Sequence, residues 1–280
     1  MDSLSVDTSL HIRFEGATHI GTGRSEGLLD RTIRRDGAGE PYVPGSALKG
    51  ALRMTAERAV GQLNEISELE PEWRLGLRRR GDRIQDERCL APRPEEMCQS
   101  HDPCVVCRLF GNVFVGTHLR VSDAFPQSEN SSEQSLRDQP GEMSSSGAPP
   151  RRKSTDVLTR LRMDRRRKGA EAGALFTSEY DHPATSYASA LTGTVPATPI
   201  ESDGGLPAEL VLLAAAVAAT DQIGGEATTG HGQCRIQFGD ASLISSGERP
   251  EAQESGPPYP IGTLLDEESL LALAWHRFMG

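Results

Sequence analysis

Apolar and polar residues alternate through residues 4–14 (LSVDTSLHIRF), placing Leu4, Val6, Leu10, Ile12 and Phe14 roughly on one face. That period of two predicts an opening strand with one face buried. Gly16, Gly21, Gly23, Gly27, Gly37 and Gly39 then interrupt any pattern, so residues 16–43 read as loop and short strand. Past Ser46, a residue type that caps helices, the period becomes helical. Leu48, Leu52, Thr55 and Ala59 form an apolar stripe over residues 47–61. Residues 71–108 are polar and rich in arginine and cysteine, and 118–125 (HLRVSDAF) predict another strand. Residues 126–152 hold only Leu136 and Met143 as large apolar side chains, so a disordered insertion or mobile flap is expected there. Residues 181–206 are rich in Pro, Thr, Ser and Ala, with room for a strand at their centre. Residues 207–222 read as a buried helix, 232–238 as a short closing strand and 245–260 as loop. Residues 262–279 read as a terminal helix carrying Leu264, Leu265, Leu270, Leu271, Leu273 and Trp275. Strands and helices alternate with long insertions, which predicts an α+β class. The expected organisation is one domain over residues 1–244, with insertions at 62–117 and 126–152. A C-terminal linker and helix follow at 245–280.

The chain of 280 residues is long enough to bury a core. Its longest apolar run, Leu210 to Ala219, falls well short of the ~18 residues of a membrane span. The first twenty residues contain Asp2, Asp7 and Glu15, unlike a signal peptide. A cytoplasmic protein without a membrane partner is expected. The net charge of −10 argues against a nucleic-acid partner until it is divided along the chain. Residues 1–170 carry 27 Lys and Arg against 25 Asp and Glu, whereas residues 171–280 carry 3 against 15. Arginine makes up 27 of the 30 basic residues, and its planar fork suits phosphates and bases better than lysine does. A GC-rich genome also favours arginine, but it does not explain why the basic residues leave the last third of the chain.

Cys89, Cys98, Cys104 and Cys107 lie within nineteen residues, with His101 among them. The Cys104–Cys107 pair forms a knuckle from which two thiolates reach one metal, and Zn²⁺ requires four such ligands in a tetrahedron. Five candidates are present, so structural Zn²⁺ is expected. Both Cys89 and His101 remain open as the fourth ligand. A redox dithiol is the competing reading, but it leaves two cysteines unexplained; disulfides suit an exported chain better. Two glycine-rich elements accompany the cluster. Pro44-Gly45-Ser46-Ala47-Leu48-Lys49-Gly50 opens a helix but lacks the order of a Walker phosphate loop. Its free backbone N–H groups, with Lys49 and Arg53 one turn apart, still favour an anion. Gly224 to Gly232 (GGEATTGHG) has the glycine density that permits close approach of a ligand.

Together these segments resemble the RAMP superfamily of CRISPR-associated proteins, in particular the backbone (Cas7-like) subunit of type III effector complexes. The ordered matches are residues 18–23 (THIGTG), Glu40 to Arg53 (EPYVPGSALKGALR), Cys107 to Asn112 (CRLFGN), Arg120 to Phe125 (RVSDAF), residues 160–180 (RLRMDRRRKGAEAGALFTSEY) and the Gly224–Gly232 loop. They span about residues 4–240. The sequence departs from the family pattern at Lys168–Ala172, and at Glu226 and Thr229-Gly230-His231, where the family carries basic residues and a Tyr or Leu.

The resemblance implies a modified ferredoxin-like (RRM-type) fold with insertions, and copies stacked head to tail along a crRNA. It implies target RNA and other type III subunits as further partners. Guide RNA in such complexes is held through its backbone, which suits the arginine-rich front of this chain. Arg160, Arg162, Arg165, Arg166, Arg167 and Lys168 are the strongest expected RNA contacts by composition. The family motifs add Thr22, Ser46, Lys49, Arg53, Gly225, Thr228 and His231. The resemblance also places the target-cleaving carboxylate at Asp30, working with Mg²⁺ or another divalent ion, with Arg31 beside it to neutralise the phosphate. Two other readings stand beside it: a RAMP subunit that binds crRNA without cutting, and a zinc-stabilised free-standing enzyme using Cys104 and Cys107.

Overall fold

The computed structural model describes residues 3–65, 78–80, 83–85, 97–98, 103–127, 155–164, 166–182, 186–196 and 208–245. In chain order the elements are β1 (Ser3–Phe14), α1 (Gly45–Glu65), β2 (Arg78–Arg80), β3 (Arg83–Gln85), α2 (Val105–Phe110), β4 (Arg120–Val121), β5 (Phe125–Pro126), β6 (Asp156–Asp164), β7 (Gly169–Tyr180), β8 (Tyr187–Pro196), α3 (Ala208–Ala219) and β9 (Cys234–Ser245).

β1 buries Val6, Thr8, Leu10, Ile12 and Phe14 and exposes Asp7 and Arg13, which is the alternation seen in the sequence. It pairs antiparallel with β8 on one side and β9 on the other. The register with β9 shifts between Thr8 and Leu10, opposite Gly239. A Cβ at that glycine would stand 2.0 Å from Ser9 Oγ, so a larger residue at the bulge would have to displace the Ser9 side chain. The short strands β4 and β5 both pair antiparallel with β8. β1 and β4 are therefore parallel with β8 between them, and β8 and β9 are parallel with β1 between them. The connections through α1 and through α3 make two interlocked split β-α-β units.

The helices cover the face to which the even-numbered residues of β1 point. α1 contributes Leu48, Leu52, Ala56 and Val60, spaced four residues apart as one helical stripe. α3 is apolar on all sides and buries Leu210, Val211, Leu212, Leu213, Ala216 and Val217, as its Ala- and Leu-rich sequence predicts. The Thr220 hydroxyl, just past α3, donates to Thr55 Oγ1 at 2.9 Å and links the two helices. α2 adds Val105, Val106, Leu109 and Phe110 to the same core.

One charged side chain is buried in α3. Glu209 is 0% exposed, and its Oε1 lies 2.7 Å from Arg108 Nε of α2. The Arg108 N–H is not aimed along that contact, so charge rather than an aligned hydrogen bond holds the pair. Removing one member of a buried pair leaves the other uncompensated. Glu209→Ala leaves Arg108, with 24% of its side chain exposed to water, without this partner and is expected to lower stability by about 1–3 kcal/mol. Urea unfolding of the full chain measures it, and the double variant with Arg108→Met should recover part of the loss.

Three boundaries differ from expectation. α1 begins at Gly45, not after a Ser46 cap; the Gly45 N–H donates to Asp123 Oδ1 at 2.8 Å, so a carboxylate from a distant segment caps the helix. A Cβ on Gly45 would stand 2.2 Å from the Val121 carbonyl oxygen, which is why this start is tightly docked. The strand expected over 118–125 is split into β4 and β5. Between them Ala124 leaves β8 and exchanges backbone hydrogen bonds with Val43. Finally, β9 continues to Ser245, past the expected end at 238, because β1 offers it a full-length partner. The residues expected to form a flap after 127, up to 152, and a terminal helix over 262–279 lie outside the described residues.

Candidate nucleic-acid interface and cysteine centre

Residues 160–180, read in the sequence as one segment leading into a strand, form an antiparallel hairpin of β6 and β7. The hairpin is a two-stranded sheet of its own, so both of its faces lack cover along most of its length. Arg162 and Arg167 are 73% and 88% exposed, and Arg166 and Lys168 are exposed with them near the turn. Arg162 makes only a loose pair with Glu171 at 3.8 Å, and Arg167 one with Asp164 at 3.6 Å. Val157, Leu158, Leu161, Met163 and Leu175 are also exposed, interleaving apolar side chains with the cations. Arg165 lies outside the described residues.

The base of the hairpin is tied to the loop after β1. Arg31 bridges in parallel to Ser178, and the Asp30 and Arg31 N–H groups donate to the Thr177 carbonyl at 3.0 and 3.1 Å. Asp30 Oδ2 accepts the Thr177 N–H at 2.7 Å and its hydroxyl at 3.2 Å. Asp30 is exposed, and its Oδ1 accepts no bond among the described residues. Glu179 locks the loop from the other side. It accepts from Arg35 Nη2 at 2.6 Å, the Thr155 hydroxyl at 2.7 Å and the Ile33 N–H at 3.1 Å. Burial opposes the charge of Glu179, but these donors and the Arg35 charge outweigh it and hold the carboxyl below its ordinary range.

Beside Asp30 lies a knot of charged and aromatic groups on the glycine-rich loop. Glu226 Oε1 accepts from Arg31 Nη1 at 3.0 Å, and its Oε2 accepts from Arg160 Nη1 at 2.7 Å and the Tyr180 hydroxyl at 2.5 Å. Arg160 Nη2 also donates to His231 Nε2 at 2.5 Å. The Arg31 guanidinium lies over the Phe176 ring at 5.2 Å and that of Arg160 over Tyr180 at 5.3 Å. Burial opposes the Glu226 charge, but the Tyr180 bond and the charges of Arg160, His19 and Arg31 keep its carboxyl below the usual range. Burial and the Glu226 contact push the Tyr180 phenol up, so it stays a donor. Buried His19 supports the loop: its Nδ1 donates to the Glu179 carbonyl at 2.7 Å, and its own carbonyl accepts the Gly225 N–H at 2.9 Å. Thr228 is exposed on the same loop. Thr22 shares a 2.7 Å hydroxyl contact with Thr32 on the neighbouring loop.

The N-terminus of α1 is arranged differently from a bare anion site. Ser46 is exposed, but Asp123 already occupies the first turn. Lys49 Nζ donates to the Leu119 carbonyl at 2.8 Å; burial, then the Arg53 charge, lowers its pKa. Arg53 pairs with Glu57 at 2.8 Å and reaches the Gly111 carbonyl and Cys107 Sγ. Both cations turn toward the 107–119 segment.

That segment holds the cysteines. The sulfurs of Cys98, Cys104 and Cys107 all lie within 4.8 Å of one another, near enough to share one metal ion with Zn–S bonds of about 2.3 Å. The Cys104 N–H donates to Cys98 Sγ at 3.4 Å, and Asn112 Nδ2 to Cys107 Sγ at 3.3 Å. Such N–H donors are the outer shell that thiolate ligands need. The triad, with Cys98 and Cys107 buried and Cys104 partly so, therefore fits a metal such as zinc. Cys89 and His101, the two candidates for a fourth ligand, lie outside the described residues.

Sequence reading did not single out Thr177, Glu179 or Tyr180, and named Glu226 only as a departure from a motif. Among the described residues no helix is long and apolar enough to cross a membrane.

The model of the RAMP superfamily matches residues 11–235 of the chain. No curated protein matches it. Similar solved chains include one from a cryo-EM structure of type III-B Cmr-beta in the apo state, with a TM-score of 0.48 and 15% identity, covering 83% of this chain and 96% of that one. Another is from type III-B Cmr-beta bound to cognate target RNA, with a TM-score of 0.46 and 15% identity, covering 84% and 96%.

Proposed function

The chain belongs to the RAMP superfamily, and from that premise we propose that it is a crRNA-binding backbone subunit of a type III CRISPR interference complex. In this reading copies assemble head to tail along the guide, and Asp30 cleaves the complementary target RNA. The observation that carries it is the β6–β7 hairpin, which presents Arg162, Arg166, Arg167 and Lys168 to solvent among exposed apolar side chains. Cations interleaved with apolar groups suit a partner with a charged backbone and stacking bases. The two split β-α-β units supply the frame expected of a modified ferredoxin-like (RRM-type) fold. The charge split along the sequence supports the stacking, since an acidic C-terminal third is complementary to arginines exposed on the hairpin of the next copy.

Asp30 stands at the foot of the hairpin, so RNA lying along the hairpin passes its free Oδ1. One carboxylate oxygen, with phosphate oxygens and water, is a ligand set that Mg²⁺ accepts. Such an ion would neutralise charge at the scissile phosphate. Arg31 would add a second cation, and Thr177 holds the carboxylate in place. Zinc at Cys98, Cys104 and Cys107 would be structural, stiffening the segment that α1 packs against.

The complex purified through this chain should carry a small RNA of defined length. The triple variant Arg162→Ala, Arg166→Ala, Arg167→Ala should bind single-stranded RNA more weakly, with the slope of log K against log salt reduced by about 0.7 for each lost phosphate contact. A complex free of nucleic acid, or an unchanged slope, would defeat the reading.

A further inference from the structure

Two arginines proposed to touch RNA are already bound to an anion within the chain. Arg31 and Arg160 come from different elements, a loop and a strand, and meet on the two oxygens of Glu226. The Tyr180 hydroxyl completes the set on Oε2. Three donors from three positions thus converge on one carboxylate whose side chain is 11% exposed. A phosphodiester offers the same features as that carboxylate: two oxygens and a single negative charge. Guanidinium forks bind either group with little change of geometry.

The side chain of Glu226 reaches them from a glycine-rich loop. Glu226 sits at φ +63, ψ +30, a left-handed conformation that a residue with a Cβ adopts only under constraint. Gly224, Gly225, Gly230 and Gly232 surround it. Rotating the Glu226 side chain away would release the carboxylate and leave Arg31 and Arg160 in place, each still resting on an aromatic ring. The arginines and the phenol are therefore pre-organised as an oxyanion site, already partly withdrawn from water.

We propose that Glu226 is an exchangeable internal anion: it closes an oxyanion site made by Arg31, Arg160 and Tyr180, and a backbone phosphate of bound RNA takes its place. This rests on the RNA-binding reading above. The exchange replaces one negative charge by another, so it needs no new desolvation of the arginines. It also weakens binding by the free energy of releasing Glu226, so a lone phosphate monoanion competes poorly. A phosphate tethered in a chain already held by the hairpin competes well, because its local concentration is high.

The test compares wild type, Glu226→Gln and Glu226→Asp in the full chain, using anisotropy of a labelled single-stranded poly(U) RNA across a salt series. Thermal melts check that each variant is folded. Glu226→Gln removes the competing charge and should bind about tenfold more tightly at low salt, the worth of one charge-assisted contact. Adding Arg31→Ala and Arg160→Ala to it should abolish the gain. Glu226→Asp keeps the charge on a shorter arm and should fall between wild type and Gln; it serves alone if the amide variant does not fold. Affinities of both variants equal to wild type would show that Glu226 is a fixed tie, and weaker binding would show that it holds the arginines in position; either overturns the exchange while leaving RNA binding intact. If folded wild type fails to bind the RNA at all, the RNA-binding reading falls and the exchange falls with it.

Discussion

Replacing Asp30 with alanine should reduce metal-dependent cutting of a complementary target RNA by about 10²–10³-fold, the range for losing one group that stabilises charge in the transition state. Binding of the guide should be unchanged. The expectation comes from how the side chain is held. Asp30 Oδ2 is fixed by the Thr177 N–H and hydroxyl, which sets the orientation of the carboxylate on the edge of β7. Its other oxygen points away from those bonds, on an exposed residue, beside an arginine. Alanine removes both the tie and the free oxygen, so it cannot separate a chemical role from an anchoring one. Asp30→Asn does so. Its amide oxygen still accepts from the Thr177 N–H, keeping the loop on β7, but it carries no charge. Cutting lost in both variants places Asp30 in the chemistry. Cutting retained by asparagine and lost only in alanine makes Asp30 a loop anchor, and cutting retained in both makes the chain a scaffold that binds without cleaving. Single-turnover cleavage of labelled target by the assembled complex, with and without Mg²⁺, gives the answer.

The same loop shows which parts of this protein can be read from sequence. β1, α1 and α3 were legible because their signals are local: the alternation through Val6, Leu10 and Ile12, the four-residue spacing of Leu48 and Leu52, the unbroken apolar run after Glu209. The Cys104–Cys107 knuckle was legible because its spacing is local, and Cys98 was near enough in the chain to join the cluster. The knot around Glu226 was not. It gathers Arg31, Arg160, Tyr180 and His231 across separations of up to 195 residues, and no local pattern marks a pairing that only the folded chain brings together. Lys49 and Arg53 illustrate a different limit. Their spacing correctly places them on one face of α1, but spacing does not reveal that this face is covered by the 107–119 segment. Asp123 lay in a segment that reads as plain strand, yet it leaves the ladder to cap a helix 78 residues earlier. Polar side chains with long-range partners are where the physics of the fold exceeds the pattern in the chain.

Metal removal is expected to have the largest effect on the fold itself. Among the described residues, the cluster around Cys98, Cys104 and Cys107 has little apolar core of its own, with Val115 as its other buried member. Three thiols gathered there, among backbone and amide N–H donors, contribute little packing without an ion to join them. With Zn²⁺ bound, the free energy of coordination becomes free energy of folding, about 10–16 kcal/mol in small zinc-dependent peptides. Only part of that reaches this chain, because α2 also packs through Leu109 and Phe110 into the main core. The purified protein should contain one zinc per chain. Cys107→Ser should lose it and melt at a markedly lower temperature, as should wild type treated with a strong chelator. Arg53→Ala offers a finer check, since its guanidinium lies 3.9 Å from Cys107 Sγ and joins α1 to the centre. Loss of such an outer-shell partner should weaken zinc about 10–100-fold while leaving one bound ion at saturation. If the protein holds no metal and a chelator leaves its melting temperature unchanged, the cysteines are not a zinc site. Reversible oxidation of Cys104 and Cys107 under mild oxidant would then favour a dithiol. The arrangement argues against that outcome: a redox pair functions with two sulfurs, whereas the fold brings a third from Cys98 into the same cluster and buries it.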